Sequence, residues 1–181
     1  MRLAVIAAVL TATASVASAG PYLGLGVGPA AGVSGGDGEY GPGSFQGAGR
    51  SYRLLGGYRL GRLAVEASIT GQDFAYNTST FAGRELAVAG VYHHALGSGF
   101  EAYGKLGVHR TSLTRDADLR IYDVSGEGLL VGAGFALRLD AILASGSVFV
   151  DYTHHAADMS GERHAFEGGV GMWMLGFTFG L

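Results

Sequence analysis

Six histidines are the side chains with the widest range of chemistry in this 181-residue sequence. Imidazole is the commonest metal ligand and a frequent general base, so a metal centre or a catalytic site has to be considered. Their spacing matches no known ligand pattern, and the chain has no cysteine to complete a zinc site. We therefore predict no metal and no cofactor, and we expect the histidines at the rims of the domain, in or near loops. They are His93, His94, His109, His154, His155 and His164.

Nucleophilic catalysis is the second chemistry to consider, because His154 and His155 lie close in sequence to Ser160 and Glu162. Acyl transfer needs a hydroxyl within hydrogen-bond reach of its base. The residue that follows the two histidines is Ala156, and Ser160 stands at the wrong spacing to replace it. The sequence therefore predicts a protein that is not an enzyme.

Eight charged residues that alternate with apolar ones form a third group. Buried charges must be paired, so we predict an ion-paired network inside the fold, in which Glu66 and Arg138 have partners of opposite charge. The alternative is that some of these residues lie at the rims and are solvated. The eight residues are Arg53, Arg59, Glu66, Glu85, Glu101, Lys105, Arg138 and Asp151.

Strands must position these side chains, because apolar residues recur at every second position along most of the chain. Leu63, Val65 and Ile69, for example, share one face of a segment whose other face carries Glu66. We predict eight such segments, at about 21–30, 50–60, 62–72, 83–94, 100–110, 127–139, 147–156 and 165–180. Tight turns are expected at 61–62, 95–99 and 140–146. They alternate with long, polar, glycine-rich connections at 31–49, 73–82, 111–126 and 157–164, the layout of an outer-membrane barrel.

The last segment has an apolar, aromatic face from Trp173 onward, and this face indicates which phase surrounds the fold. A soluble antiparallel barrel would show the same alternation with its faces inverted. Faces that combine charge with many glycines and alanines suit a narrow barrel interior, so the apolar faces are left to contact lipid. We therefore predict an all-β, eight-stranded, antiparallel up-and-down transmembrane β-barrel. We expect the closing strand and the assembly signal to be carried by Trp173, Leu175, Phe177, Phe179 and Leu181.

The first residues have the three parts of a secretory signal peptide: Arg2, an apolar run from Leu3 to Leu10, and Ala17-Ser18-Ala19. The predicted organisation is a signal peptide at 1–19 and a barrel domain at 20–181. The formal net charge of −3 argues against a nucleic-acid partner, which would call for a basic patch.

Several short motifs, in this order, resemble those of the OmpA-like, opacity-type outer-membrane β-barrel family. The resemblance implies a cell-envelope protein in the outer membrane of a Gram-negative bacterium. Its expected partners are outer-membrane lipid, periplasmic chaperones, the barrel-assembly machinery and a ligand of the extracellular loops; the barrel itself is expected to be a monomer. The motifs are Gly56-Gly57-Tyr58-Arg59-Leu60, Leu63-Ala64-Val65-Glu66-Ala67, Ala102-Tyr103-Gly104-Lys105-Leu106-Gly107, the segment from Gly132 to Leu139, and Val150-Asp151-Tyr152-Thr153.

The sequence departs from that family in two places. No peptidoglycan-binding domain follows the barrel, so tethering to the cell wall is not expected. The family tends to finish on a terminal aromatic residue, whereas Phe179 is followed here by Gly180 and Leu181.

The predicted role is structural and interactive: membrane integrity, with adhesion through the extracellular loops left open. The first alternative is a narrow, low-conductance porin. The second is a lipid A-modifying enzyme, because the lipid A deacylases are also eight-stranded barrels. That family carries His-x-Ser near the end of strand seven, and here Ala156 occupies the serine position.

Overall fold

The computed structural model describes residues 19–34, 46–76, 79–115, 123–141, 144–160 and 165–180. The predicted signal peptide at 1–19 falls almost entirely outside them, as do Glu162, His164 and Leu181. Among the described residues there is no helix that could span a membrane. The strands are β1 (Gly20–Pro29), β2 (Gly32–Ser34), β3 (Gln46–Leu60), β4 (Leu63–Tyr76), β5 (Ser79–Gly97), β6 (Phe100–Arg115), β7 (Asp123–Ala141), β8 (Ala144–Ser160) and β9 (Ala165–Gly180).

The strands form one closed antiparallel barrel. From β3 to β9 each strand pairs with the next along the chain, and β1 pairs with both β3 and β9. The pairing of β1 with β9 closes the barrel and is called the seam. Leu23 on β1 lies opposite Gly56 of β3 on one side and Phe179 of β9 on the other. The short β2 continues β1 along β9, so the nine strand segments form a wall of eight strands. The prediction of an eight-stranded antiparallel up-and-down barrel is confirmed.

Tight turns join the strands at one end of the barrel, which we call the turn end; the opposite end is the loop end. Gly61 and Gly99 adopt positive φ angles of 63° and 80°, a conformation that glycine reaches without a steric penalty. Gly61 begins the two-residue connection that Arg62 completes, and Gly99 ends the one that Ser98 begins. Two-residue connections of this kind fix the register of the strands that they join.

The strands are longer than the alternation of apolar residues predicted. At the loop end, β4 reaches Tyr76, β5 begins at Ser79, and β8 continues to Ser160. At the turn end, β5 runs to Gly97 and β8 begins at Ala144. Backbone pairing needs no apolar side chain, so the hydrogen-bonded ladder continues beyond the apolar band. The predicted connections at 73–82, 95–99 and 140–146 were therefore too long.

The two faces of the barrel wall differ in chemistry. Large apolar side chains point outward all around it; Leu106, for example, is 64% exposed. Small or polar residues point inward, where Ala64, Ala87 and Ala89 are buried. Space is tight at Gly134, where an added Cβ would lie 2.7 Å from Tyr103 Cζ and 2.7 Å from Asp151 Cβ. The wall therefore encloses a filled interior and exposes a continuous apolar surface.

Candidate functional site in the barrel interior

Charged side chains from four strands of the wall meet at the centre of the barrel. Arg53 Nη1 on β3 lies 3.2 Å from Asp151 Oδ1 on β8. Lys105 Nζ on β6 lies 2.9 Å from Asp151 Oδ2 and 2.8 Å from Glu66 Oε1 on β4. Arg53 also donates from Nη2 to Thr153 Oγ1 at 2.8 Å. We call Arg53, Glu66, Lys105 and Asp151 the central network; its two positive and two negative charges balance.

A second group lies toward the turn end, around Glu101. Arg59 donates from Nη1 and Nη2 to the two carboxylate oxygens of Glu101, both at 2.9 Å, in a bidentate pair. Arg138 Nη2 lies 2.9 Å from Glu101 Oε1, and His93 Nδ1 lies 3.3 Å from Glu101 Oε2. A cavity of about 150 Å³ borders this group and the turn-end side of the central network.

The third group lies in the half nearer the loop end and has a different composition. Glu85 on β5 faces His155 on β8, with His155 Nδ1 2.8 Å from Glu85 Oε2. His109 on β6 places Nδ1 3.7 Å from the same oxygen. The two imidazole rings are perpendicular, with centroids 5.0 Å apart. We call Glu85, His109 and His155 the His/Glu cluster.

The structure thus places all eight predicted charged residues inside the barrel wall, but in separate groups. Seven of them make ion pairs with one another, including Glu66 and Arg138. Glu85 does not join them, because its ion-pair partners within the described chain are the two histidines. Seven of the eight charges are thus ion-paired with one another in two groups, whereas Glu85 lies apart with the two histidines.

The rim position expected for the histidines is also corrected. His109 and His155 are 4% and 1% exposed, inside the wall. His93 is half-buried beside Glu101, whereas His94 at the turn end is exposed and His154 is half-buried. The alternation of side chains along a strand already indicates an inward position for both. His109 shares a face with Lys105, and His155 shares one with Asp151.

The residues predicted to close the barrel lie on the outward face of β9. Trp173, Leu175, Phe177 and Phe179 all point outward, and Trp173 contacts Tyr152 with ring centroids 5.2 Å apart. Leu175, Phe177 and Phe179 lie opposite β1 across the seam. Whether these residues form an assembly signal remains a prediction.

The fold and its interior define a class. A closed barrel with charges paired inside and large apolar side chains outside suits apolar surroundings, because lipid removes that outer surface from water and closure leaves no open sheet edge among the described strands. The outward face is therefore a lipid-contacting surface. The chain has the architecture of the eight-stranded outer-membrane barrels.

Solved structures agree with that class. Neisserial surface protein A (NspA) is 16% identical to this chain, with a TM-score of 0.70 over 91% of this chain and 100% of that one. Ail, the attachment invasion locus protein of Yersinia pestis, solved with the heparin analogue sucrose octasulfate, is 17% identical, with a TM-score of 0.58 over 90% and 99%. The outer membrane protein OprG of Pseudomonas aeruginosa is 15% identical, with a TM-score of 0.55 over 90% and 96%.

These likenesses concern the fold. The resemblance to OmpA-like, opacity-type barrels is confirmed at that level. No protein-family model matches the sequence, and no curated protein sequence is significantly similar to it. Since one fold serves many functions, the barrel alone does not decide between an enzyme and a protein without catalytic activity.

Proposed function

We propose that this protein is an integral outer-membrane barrel with a structural and surface-interaction role. The observation that carries the proposal is the central network, which joins β3, β4, β6 and β8 across the interior of a barrel with an apolar exterior. An eight-stranded barrel is just wide enough for its interior to be filled by side chains. The fold therefore serves as a rigid, closed anchor in the membrane, and its loop end is available for binding.

The proposed orientation follows from the connections. In outer-membrane barrels the short turns face the periplasm and the long loops face outward. Export would begin with the signal peptide, followed by periplasmic chaperones and the barrel-assembly machinery. Closure of β1 on β9 leaves no open sheet edge in the described barrel, which supports a monomer. Because Ail is an attachment protein solved with a heparin analogue, we propose an anionic surface ligand as the first to test.

Two alternatives are less well supported. A narrow porin needs a continuous aqueous path, and Lys105 lies across the interior between Glu66 and Asp151. A lipid-modifying enzyme of the deacylase type needs a serine beside its histidine base, and Ala156 on β8 has no hydroxyl. We propose that the protein has no catalytic activity of that type.

Conductance tests the closed interior. In a planar bilayer the unaltered protein should show no steady open channel. The double variant Glu66→Ser/Lys105→Ser should conduct, because it removes one balanced pair and leaves Arg53 bound to Asp151. The matched control is Arg110→Ser/Glu127→Ser, which removes an exposed ion pair from the outer surface and should stay silent. A large, steady conductance from the unaltered protein would overturn the closed-barrel proposal.

Export can be tested separately by the mass of the protein recovered from outer membranes. Cleavage after Ala19 should give a mature chain that starts at Gly20, where β1 also begins. Substitution of Ala17 and Ala19 by larger residues should leave the uncleaved precursor in the inner-membrane fraction. Recovery of the full 181-residue chain from the outer membrane would contradict the signal-peptide proposal.

A further inference from the structure

The His/Glu cluster brings together three metal-ligating side chains that are far apart in sequence. Glu85, His109 and His155 come from β5, β6 and β8, and one ligand atom from each lies within 4.8 Å of the other two. All three side chains are about 1% exposed, although the carboxylate and the imidazoles are polar. Burial of three such groups against one another is costly unless something binds them together.

Hydrogen bonding does not account for the convergence of Glu85 and His155. Both carboxylate oxygens of Glu85 and both ring nitrogens of His155 have no hydrogen-bond partner of acceptable geometry in the described part of the chain. The 2.8 Å contact between His155 Nδ1 and Glu85 Oε2 is therefore an approach of two ligand atoms without a well-directed N–H between them. Within the described chain the ion-pair partners of this buried carboxylate are the two imidazoles alone, and neither donates a hydrogen bond of acceptable geometry to it.

His109 is held in the tautomer that a metal ligand needs. Its Nε2 lies 3.1 Å from the backbone carbonyl oxygen of Ala156, which can only accept, so Nε2 carries the proton. In the neutral ring this leaves a lone pair on Nδ1, the nitrogen that faces Glu85. Without an ion, the Thr111 hydroxyl donates to that lone pair at 3.0 Å, and a bound metal would displace this hydrogen bond. A backbone carbonyl that orients a ligating histidine in this way is a recurrent feature of metal sites.

We propose that the His/Glu cluster binds one divalent transition-metal ion of the zinc class inside the barrel. Two imidazoles and one carboxylate are a donor set suited to Zn²⁺, whereas Ca²⁺ and Mg²⁺ prefer sites made of oxygen atoms alone. Tetrahedral bonds of about 2.0–2.2 Å put neighbouring ligand atoms about 3.4 Å apart. The observed distances of 2.8 Å and 3.7 Å from Glu85 Oε2 lie on either side of that value. All three ligand atoms lie within 4.8 Å of one another, so a bound ion would draw the side chains closer together.

The ion would change what holds the loop-end half of the barrel together. The central network joins β3, β4, β6 and β8, whereas the bound ion would join β5, β6 and β8. It would also neutralise Glu85, which forms no ion pair with a member of the central network in the described structure. The site is thus separate from the groups that close the interior, and it does not depend on whether the protein conducts or adheres.

Titration of the refolded barrel with Zn²⁺ tests the proposal. We expect one Zn²⁺ per chain by calorimetry and by metal analysis after dialysis. Co²⁺ should give the strong visible absorption of a four-coordinate site. His155→Gln and Glu85→Gln keep side-chain volume and should weaken binding more than about 100-fold, since loss of an outer-shell partner alone costs about 10–100-fold. Thr111→Val should have an effect no larger than that outer-shell range.

The matched control is His154→Gln, one residue from His155 and on the opposite face of the strand. It should bind Zn²⁺ as the unaltered protein does, as should His94→Gln at the exposed turn end. A heat-modifiable gel shift confirms that every variant is folded before titration. Equal Zn²⁺ affinity in folded His155→Gln and His154→Gln would overturn the site, and so would the absence of stoichiometric binding to the unaltered barrel. Glu85 and His155 would then be an ion pair without a bound metal.

Discussion

Replacement of Asp151 by asparagine should lower the free energy of unfolding by about 3–5 kcal/mol, the range measured when one partner of a buried ion pair is removed. Asp151 is fully buried, and its two oxygens lie 3.2 Å from Arg53 Nη1 and 2.9 Å from Lys105 Nζ. Asparagine keeps the volume but removes the charge. Lys105 retains Glu66 as a partner, whereas Arg53 is left without a carboxylate among its described contacts.

The measurement is equilibrium urea unfolding in lipid vesicles, followed by the fluorescence of Trp173. This is the only tryptophan in the sequence, and it lies on the outward face, so its emission reports removal from lipid. The control is Glu127→Gln, which breaks the pair with Arg110 where the two side chains are 75% and 66% exposed. Exposed pairs contribute about 0–1 kcal/mol, so the control should unfold almost as the unaltered protein does.

A second substitution separates an orphaned charge from a general packing defect. If the loss in Asp151→Asn comes from unpaired Arg53, then Arg53→Met in the same chain should recover part of it, because apolar replacement of a whole buried pair is often neutral or stabilising. If the double variant is less stable than Asp151→Asn by the full cost of Arg53→Met alone, the two residues act independently. That additivity would contradict the proposed coupling.

The sequence was sufficient to predict the two faces of the wall. Strand parity is strict, so the alternation of Val65 with Glu66 determines which side of the barrel each occupies, and a slip of one residue would put every charge into lipid. Closure was predictable for the same reason, because an unpaired edge is not tolerated in a bilayer. These predictions rest on local pattern and on the properties of the solvent.

Partners across the interior could not be predicted in this way. Contacts such as Glu85 with His155 join strands that are not neighbours in the wall, and they depend on the stagger of the strands around the barrel. The parity of His155 with Asp151 places it on the inner face, but the apolar pattern stops at that point and predicts the end of the strand there. The backbone ladder of β8 continues to Ser160, which carries His155 into the interior.

Arginine in place of Leu106 tests the opposite face and should destabilise the barrel in bilayers by about 2–4 kcal/mol, the penalty for Arg or Lys at the midplane on a lipid-facing position. Leu106 is exposed on the outward face of β6. Along that face it lies midway between Phe100, at the turn end, and Ser112, near the loop end. Its register partners are Gly90 on β5 and Val131 on β7, so no acidic side chain lies directly opposite to neutralise the new charge.

Depth is the variable that the control isolates. Ser112 is an exposed residue of β6 that pairs in register with Arg84, so an arginine already occupies its level of the wall. Ser112→Arg should therefore cost only about 0–1 kcal/mol, as near the interface of a bilayer. The difference between the two variants measures the position of the apolar band on β6. Equal, small effects of Leu106→Arg and Ser112→Arg would mean that water reaches Leu106, which is incompatible with a lipid-facing wall.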